Sequence, residues 1–138
     1  NPKSFVQITN AHWVKPKGGL WTSPVDSEWG WKDWCRAEDF RECTEDNSFR
    51  FVLKPLTNVL KIDSINDMKE LPKAYVPEEL RFLNRMFIDY EALAKVYGAI
   101  WLTVNGERDT RYHDRYSLYG WDCESVLILN KQCIDPIL

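Results

Sequence analysis

Apolar and polar positions alternate over short stretches of the chain, and the breaks between them fall at proline, glycine and aspartate. Ser4-Phe5-Val6-Gln7-Ile8-Thr9 alternates in this way and predicts a short half-buried strand. Residues 10–18 read as a loop, in which Pro16 and the pair Gly18-Gly19 set a turn and allow close backbone approach. Residues 19–23 predict a second strand, stopped by Pro24. A helix is expected next, capped by Asp26 or Ser27, with Glu28 in its first turn and Trp31, Trp34 and Cys35 at three- and four-residue spacing.

Further along, Phe49, Phe51 and Leu53 alternate with Ser48, Arg50 and Val52 as a strand, and residues 58–62 give another. Asp63 or Ser64 is placed to cap a helix over residues 65–71, Pro77 to open one through residues 78–83, and residues 88–97 carry helical periodicity that ends at Gly98. Residues 99–103 read as a buried strand. Residues 104–119 read as a polar loop, with Arg108, Arg111 and Arg115 among Glu107, Asp109 and Asp114. So long a loop in so small a domain is uncommon unless it has a function, and it leads directly to Asp122 and Glu124. Glu124 then opens an apolar, β-branched run that predicts a last buried strand. The pattern as a whole predicts an α+β domain over residues 1–138, with a largely antiparallel, split sheet and flanking helices.

Composition narrows this without redirecting it. A hydrophobic share of 44% beside 28% charged residues is that of an ordinary globular domain, and no apolar run reaches the ~20 residues that span a bilayer, so no membrane partner is expected. A net charge of -3 with interspersed signs gives no broad basic field and argues against general nucleic-acid binding, while leaving a local basic patch open. Cys35, Cys43, Cys123 and Cys133 form no C-x-x-C pair and lie far from His12 and His113, which argues against a zinc site. No stretch reads as a signal peptide, so free thiols in a cytoplasmic setting are the expectation. Of the seven tryptophans, Trp13, Trp21, Trp29, Trp31 and Trp34 crowd the first quarter of the chain, where large rings either fill a core or stack on a planar ligand.

Glu124 is the sharpest chemical signal. A carboxylate at the head of a buried strand either caps that strand at its solvent edge or is paired and used. Asp122, two residues earlier, shares its face if the strand already runs there.

The segment ESVLILNKQCIDPIL resembles the carboxyl-terminal block of the ADP-ribosyltransferase superfamily, which includes the poly-ADP-ribose polymerases and the bacterial ADP-ribosylating toxins. In that block a catalytic Glu begins a strand, a polar turn follows, and a Gln-x-Ile-x-Pro segment, here Gln132, Ile134 and Pro136, pairs back. The segment GGLWTSP followed by a helix resembles the superfamily strand that borders nicotinamide.

The resemblance implies an NAD-consuming enzyme. Glu124 would stabilise the positive charge that develops on ribose as the bond to nicotinamide breaks, much as carboxylates do in glycoside hydrolysis. Ser23 or Thr22 would orient Glu124, Trp21 or another early tryptophan would stack on nicotinamide, and Asp122 would orient an acceptor of unknown class. On the first strand, where the superfamily places a His or Arg toward NAD, this chain has Gln7 and Thr9, with His12, Lys15 or Lys17 as substitutes. A catalytically inactive nucleotide- or protein-binding module on the same fold is the alternative, and an unrelated α+β protein with an exposed Trp29, Trp31 and Trp34 cluster is the third reading.

Overall fold

The computed structural model describes residues 5–11, 14–40, 43–44 and 46–135. Four strands form the main sheet: β1 (Leu20–Thr22), β3 (Val59–Ile62), β4 (Ala99–Leu102) and β5 (Ser125–Ile128), in the order β1-β5-β4-β3. A separate two-stranded sheet joins β2 (Val52–Leu53) to β6 (Ile134–Asp135). The helices are α1 (Trp31–Ala37), α2 (Ile65–Lys69), α3 (Tyr90–Ala94) and α4 (Val104–Thr110), with 3-10 turns at Glu78–Leu83 and Lys131–Cys133.

The class is α+β with a mixed sheet. β1–β5, β5–β4 and β2–β6 are antiparallel, but β3 runs parallel to β4 because the chain between them crosses back through α2, the first 3-10 turn and α3. The two central strands, β4 and β5, are covered on both faces, which explains why their sequences read as continuous apolar runs. On one face Ile62, Ile100, Leu102 and Leu127 pack with Trp121 and Met68; on the other Ala99 and Ile128 pack with Cys133 and Ile134. Full burial of such side chains contributes about 1.5–3 kcal/mol each.

Several expected elements are present but shorter, and a few differ for identifiable reasons. The predicted strand over residues 4–9 is reduced, within the described residues, to one bridge between Thr9 and Lys17, although Ile8 is buried as the alternation requires. The Gly18-Gly19 turn does bring backbones together: both glycines have positive φ, and a Cβ at Gly18 would sit 2.5 Å from the Gln7 carbonyl oxygen. Helix α1 starts at Trp31 rather than near Asp26, because its first free N–H is capped from a distance by Ser23. Residues 104–119 are not all loop: Thr103 Oγ1 accepts from Gly106 N–H, and α4 follows with an internal Arg111–Glu107 pair. The segment after β5 pairs with β2, Ile134 opposite Leu53, instead of folding back on β5; Pro136 lies outside the described residues.

Candidate functional site

Glu124 immediately precedes β5 and is only 8% exposed. Three bonds fix it. Its N–H donates to the Trp29 carbonyl at 3.0 Å, its carbonyl accepts from Ser23 Oγ at 2.8 Å, and its Oε2 accepts from the Trp101 indole N–H at 2.9 Å. The partner arises from register: Trp101 on β4 stands opposite Val126 on β5, two residues from Glu124, so its ring reaches diagonally to the carboxylate. Lys61, opposite Trp101 on β3, places Nζ 4.9 Å from the ring centroid. A cation over the ring draws electron density from it and strengthens the indole N–H as a donor. Among the described residues no other group bonds the carboxylate, so Oε1 keeps its acceptor capacity.

The neighbouring hydroxyls hold backbone rather than the carboxylate. Thr22 Oγ1 donates to the Val126 carbonyl at 2.7 Å. Ser23 Oγ donates to the Glu124 carbonyl and accepts from Trp31 N–H, also at 2.8 Å, so one side chain ties the end of β1 to the head of β5 and the start of α1. Gly30 leaves the room for this arrangement, since a Cβ there would lie 2.8 Å from Ser23 Cβ.

Trp21 lies on the other side of the sheet. It stands opposite Leu127, one residue out of phase with the row Thr22, Val126 and Trp101, and packs edge-on against the fully buried Trp121 with centroids 4.7 Å apart. Trp31 stacks edge-on at 6.0 Å, and Lys15 Nζ sits 5.1 Å from the Trp21 ring and 4.7 Å from that of Trp31. Burial depresses the Lys15 pKa, opposed by the attraction of Asp122. Asp122 therefore answers to Lys15, and Glu124 to Trp101. The expectation that the two carboxylates share a strand face fails because β5 begins only at Ser125.

The first-strand residues are not brought to Glu124. The Gln7 carbonyl approaches Gly18 and Thr9 bridges to Lys17, at the start of β1, whereas Glu124 meets Ser23 past its other end. The three extended residues of β1, roughly 10 Å of strand, separate the two places. Gln7 and Thr9 are exposed. His12 lies outside the described residues.

Trp101 and Lys61 are the site residues that sequence reasoning missed. The signal was present: a tryptophan among aliphatic residues of a buried strand needs a partner for its N–H, and an acid two residues before the position facing it supplies one. Elsewhere, a depression at the carboxyl ends of the parallel strands β3 and β4 is lined by Asp63, Asn105, Arg108 and Asp109, with Asp63 accepting from Thr103 Oγ1 and Asp109 from Ile65 N–H. Among the described residues no three His, Cys, Asp or Glu side chains converge as a metal site, and no helix is long and apolar enough to cross a membrane.

Comparison with known proteins finds no matching family model, no matching curated protein and no matching solved structure.

Proposed function

We propose that the protein is an NAD-consuming enzyme of the ADP-ribosyltransferase type, with Glu124 as its catalytic carboxylate. The observation that carries this reading is a buried carboxylate held by one donor, Trp101, with its second oxygen free to accept. Such a group is costly to maintain for stability alone, and its fixed charge is suited to stabilise positive charge that develops on a sugar only during bond breaking. Held against the ribose, Oε1 accepts a hydroxyl hydrogen bond while Oε2 stays fixed by Trp101. Ser23 and Thr22 act through the backbone, setting where the head of β5 stands. Asp122 takes no part in this reading, since Lys15, which attracts it, lies over the Trp21 ring on the other side of the sheet.

A non-catalytic nucleotide- or protein-binding module is the second reading, favoured by the place of Trp21, whose ring packs on Trp121 across the sheet from the Glu124 carboxylate. The two are separated by incubating the purified chain with NAD and quantifying free nicotinamide, with cell extract added to supply acceptors. Release supports the enzyme. Absence of release together with absence of NAD binding removes it.

A further inference from the structure

Outside the Glu124 region, the exposed face formed by α4 and the turn after it presents rings and guanidinium groups in alternation. Tyr112 is 80% exposed and Tyr119 51%, their centroids 5.9 Å apart, and the Arg111 guanidinium lies 5.6 Å and 5.0 Å from them. Arg115 lies over Tyr116 at 5.7 Å, and His113 stacks on the same ring at 5.4 Å. The turn is held in shape. His113 Nδ1 accepts from the Arg115 and Tyr116 N–H groups, Ser117 Oγ donates to the Arg111 carbonyl and accepts from Tyr119 N–H, and Arg115 O accepts from Met86 N–H, which brings Arg85 to the same edge.

The acids here are already engaged: Glu107 pairs with Arg111 at 2.7 Å, Asp109 accepts from Ile65 N–H and Asp114 from the Asn84 amide. Among the described residues Arg85 and Arg115 have no ion pair. From residue 105 to residue 119 the one aliphatic side chain, Leu118, is buried, so this stretch exposes rings and charges, with Phe82 and Leu83 exposed beside Arg85.

We propose that this face binds single-stranded nucleic acid, with bases stacking on Tyr112 and Tyr119 and phosphates taken by Arg115 and Arg85. Arginine stacked on a ring keeps its N–H edge free for phosphate oxygens, and exposed tyrosines stack on any base. The site requires neither NAD nor Glu124, so it stands or falls separately from the enzymatic reading.

Fluorescence anisotropy of the whole chain with a fluorescein-labelled single-stranded oligonucleotide of mixed sequence tests it, using RNA and DNA strands in parallel and the matching DNA duplex as a third probe. Binding of at least one single strand, tighter than that of the duplex and weakened by salt, is expected. The double variant Tyr112→Ala/Tyr119→Ala should weaken it by about fivefold or more with an unchanged near-ultraviolet circular dichroism signature of the tryptophan core. Arg115→Gln should reduce the slope of log affinity against log salt by about 0.7. No binding by the wild type at roughly 100 μM protein, where even non-specific association is measurable, would overturn the proposal. So would equal binding of duplex and single strands, or affinity unchanged in the tyrosine double variant.

Discussion

The Trp101 indole N–H donates to Glu124 Oε2 at 2.9 Å, across a β4–β5 register in which Trp101 faces Val126. Through this bond the neighbouring strand stabilises a charge at the buried head of β5. Trp101→Phe keeps an aromatic ring on the strand but removes the indole N–H, leaving the carboxylate without a partner among the described residues. The expected loss is about 1–3 kcal/mol of stability, read as a lower urea midpoint at unchanged m-value. A midpoint equal to wild type would mean that water replaces the bond at no loss.

Ser23 should matter to stability more than a half-buried serine usually does. Ser23→Ala removes a donor to Glu124 O and an acceptor for Trp31 N–H together, so about 2 kcal/mol is expected. Gly30→Ala should act through the same bonds by displacing Ser23. In a double-mutant cycle the two changes should therefore fall well short of additive. Full additivity in denaturant unfolding would assign Gly30 a separate role.

Cys123 makes the fold sensitive to alkali. Burial, the largest cause, with Asp122 and Glu107 adding to it, pushes its thiol from an ordinary value near 9 up to about 12. The folded chain keeps a proton that the unfolded chain releases, so this contribution is full below about pH 9 and is lost as pH rises toward about 12. Tyr90, raised by full burial, acts in the same direction at higher pH. Lys15, depressed by burial, acts in the opposite direction, since its penalty fades as pH approaches its ordinary value of 10.5. Urea midpoints followed from about pH 8 to about pH 11 should fall less steeply for Cys123→Ala than for wild type, whatever the variant's offset at neutral pH. Parallel curves would show that the thiol titrates alike in both states.

How much of this was legible in the sequence depended on whether the cause was local. β3, β4 and β5 were readable because β-branched and apolar runs between turn residues are a local signal, and the cap of α2 was narrowed to Asp63 or Ser64, of which the structure uses Ser64. The start of α1 was not, because its cap arrives from Ser23, eight residues upstream. Helix α4 escaped notice because Val104-Asn105-Gly106-Glu107-Arg108-Asp109-Thr110 has no apolar stripe; its order comes from the Thr103 cap and from Gly106 lying close against Ile62. The parallel pairing of β3 with β4 depends on a long crossover that no short window contains.

Within the candidate site, the sequence left Glu124 between a cap at the solvent edge and a buried, paired carboxylate. Its closeness to Ser23 or Thr22 was implied only by the resemblance, and the atoms that meet were not readable. The hydroxyl bonds the carbonyl of Glu124, and the carboxylate belongs to Trp101. Trp21 went to the opposite face by strand parity: once β1 is fixed at Leu20–Thr22, Trp21 and Thr22 cannot share a side. That parity was visible in the sequence, but the strand's pairing with β5 was needed to say which side held the acid.

The most direct test of Glu124 as a functional carboxylate is the rate of nicotinamide release from NAD by wild type and Glu124→Gln at equal folded fraction. The amide keeps the shape and can still accept from Trp101, so only the charge is removed. The account predicts release by wild type and a fall of about a hundredfold or more in the variant, with the urea midpoint little changed. Equal rates, or no release by the wild type with acceptors supplied, would contradict it.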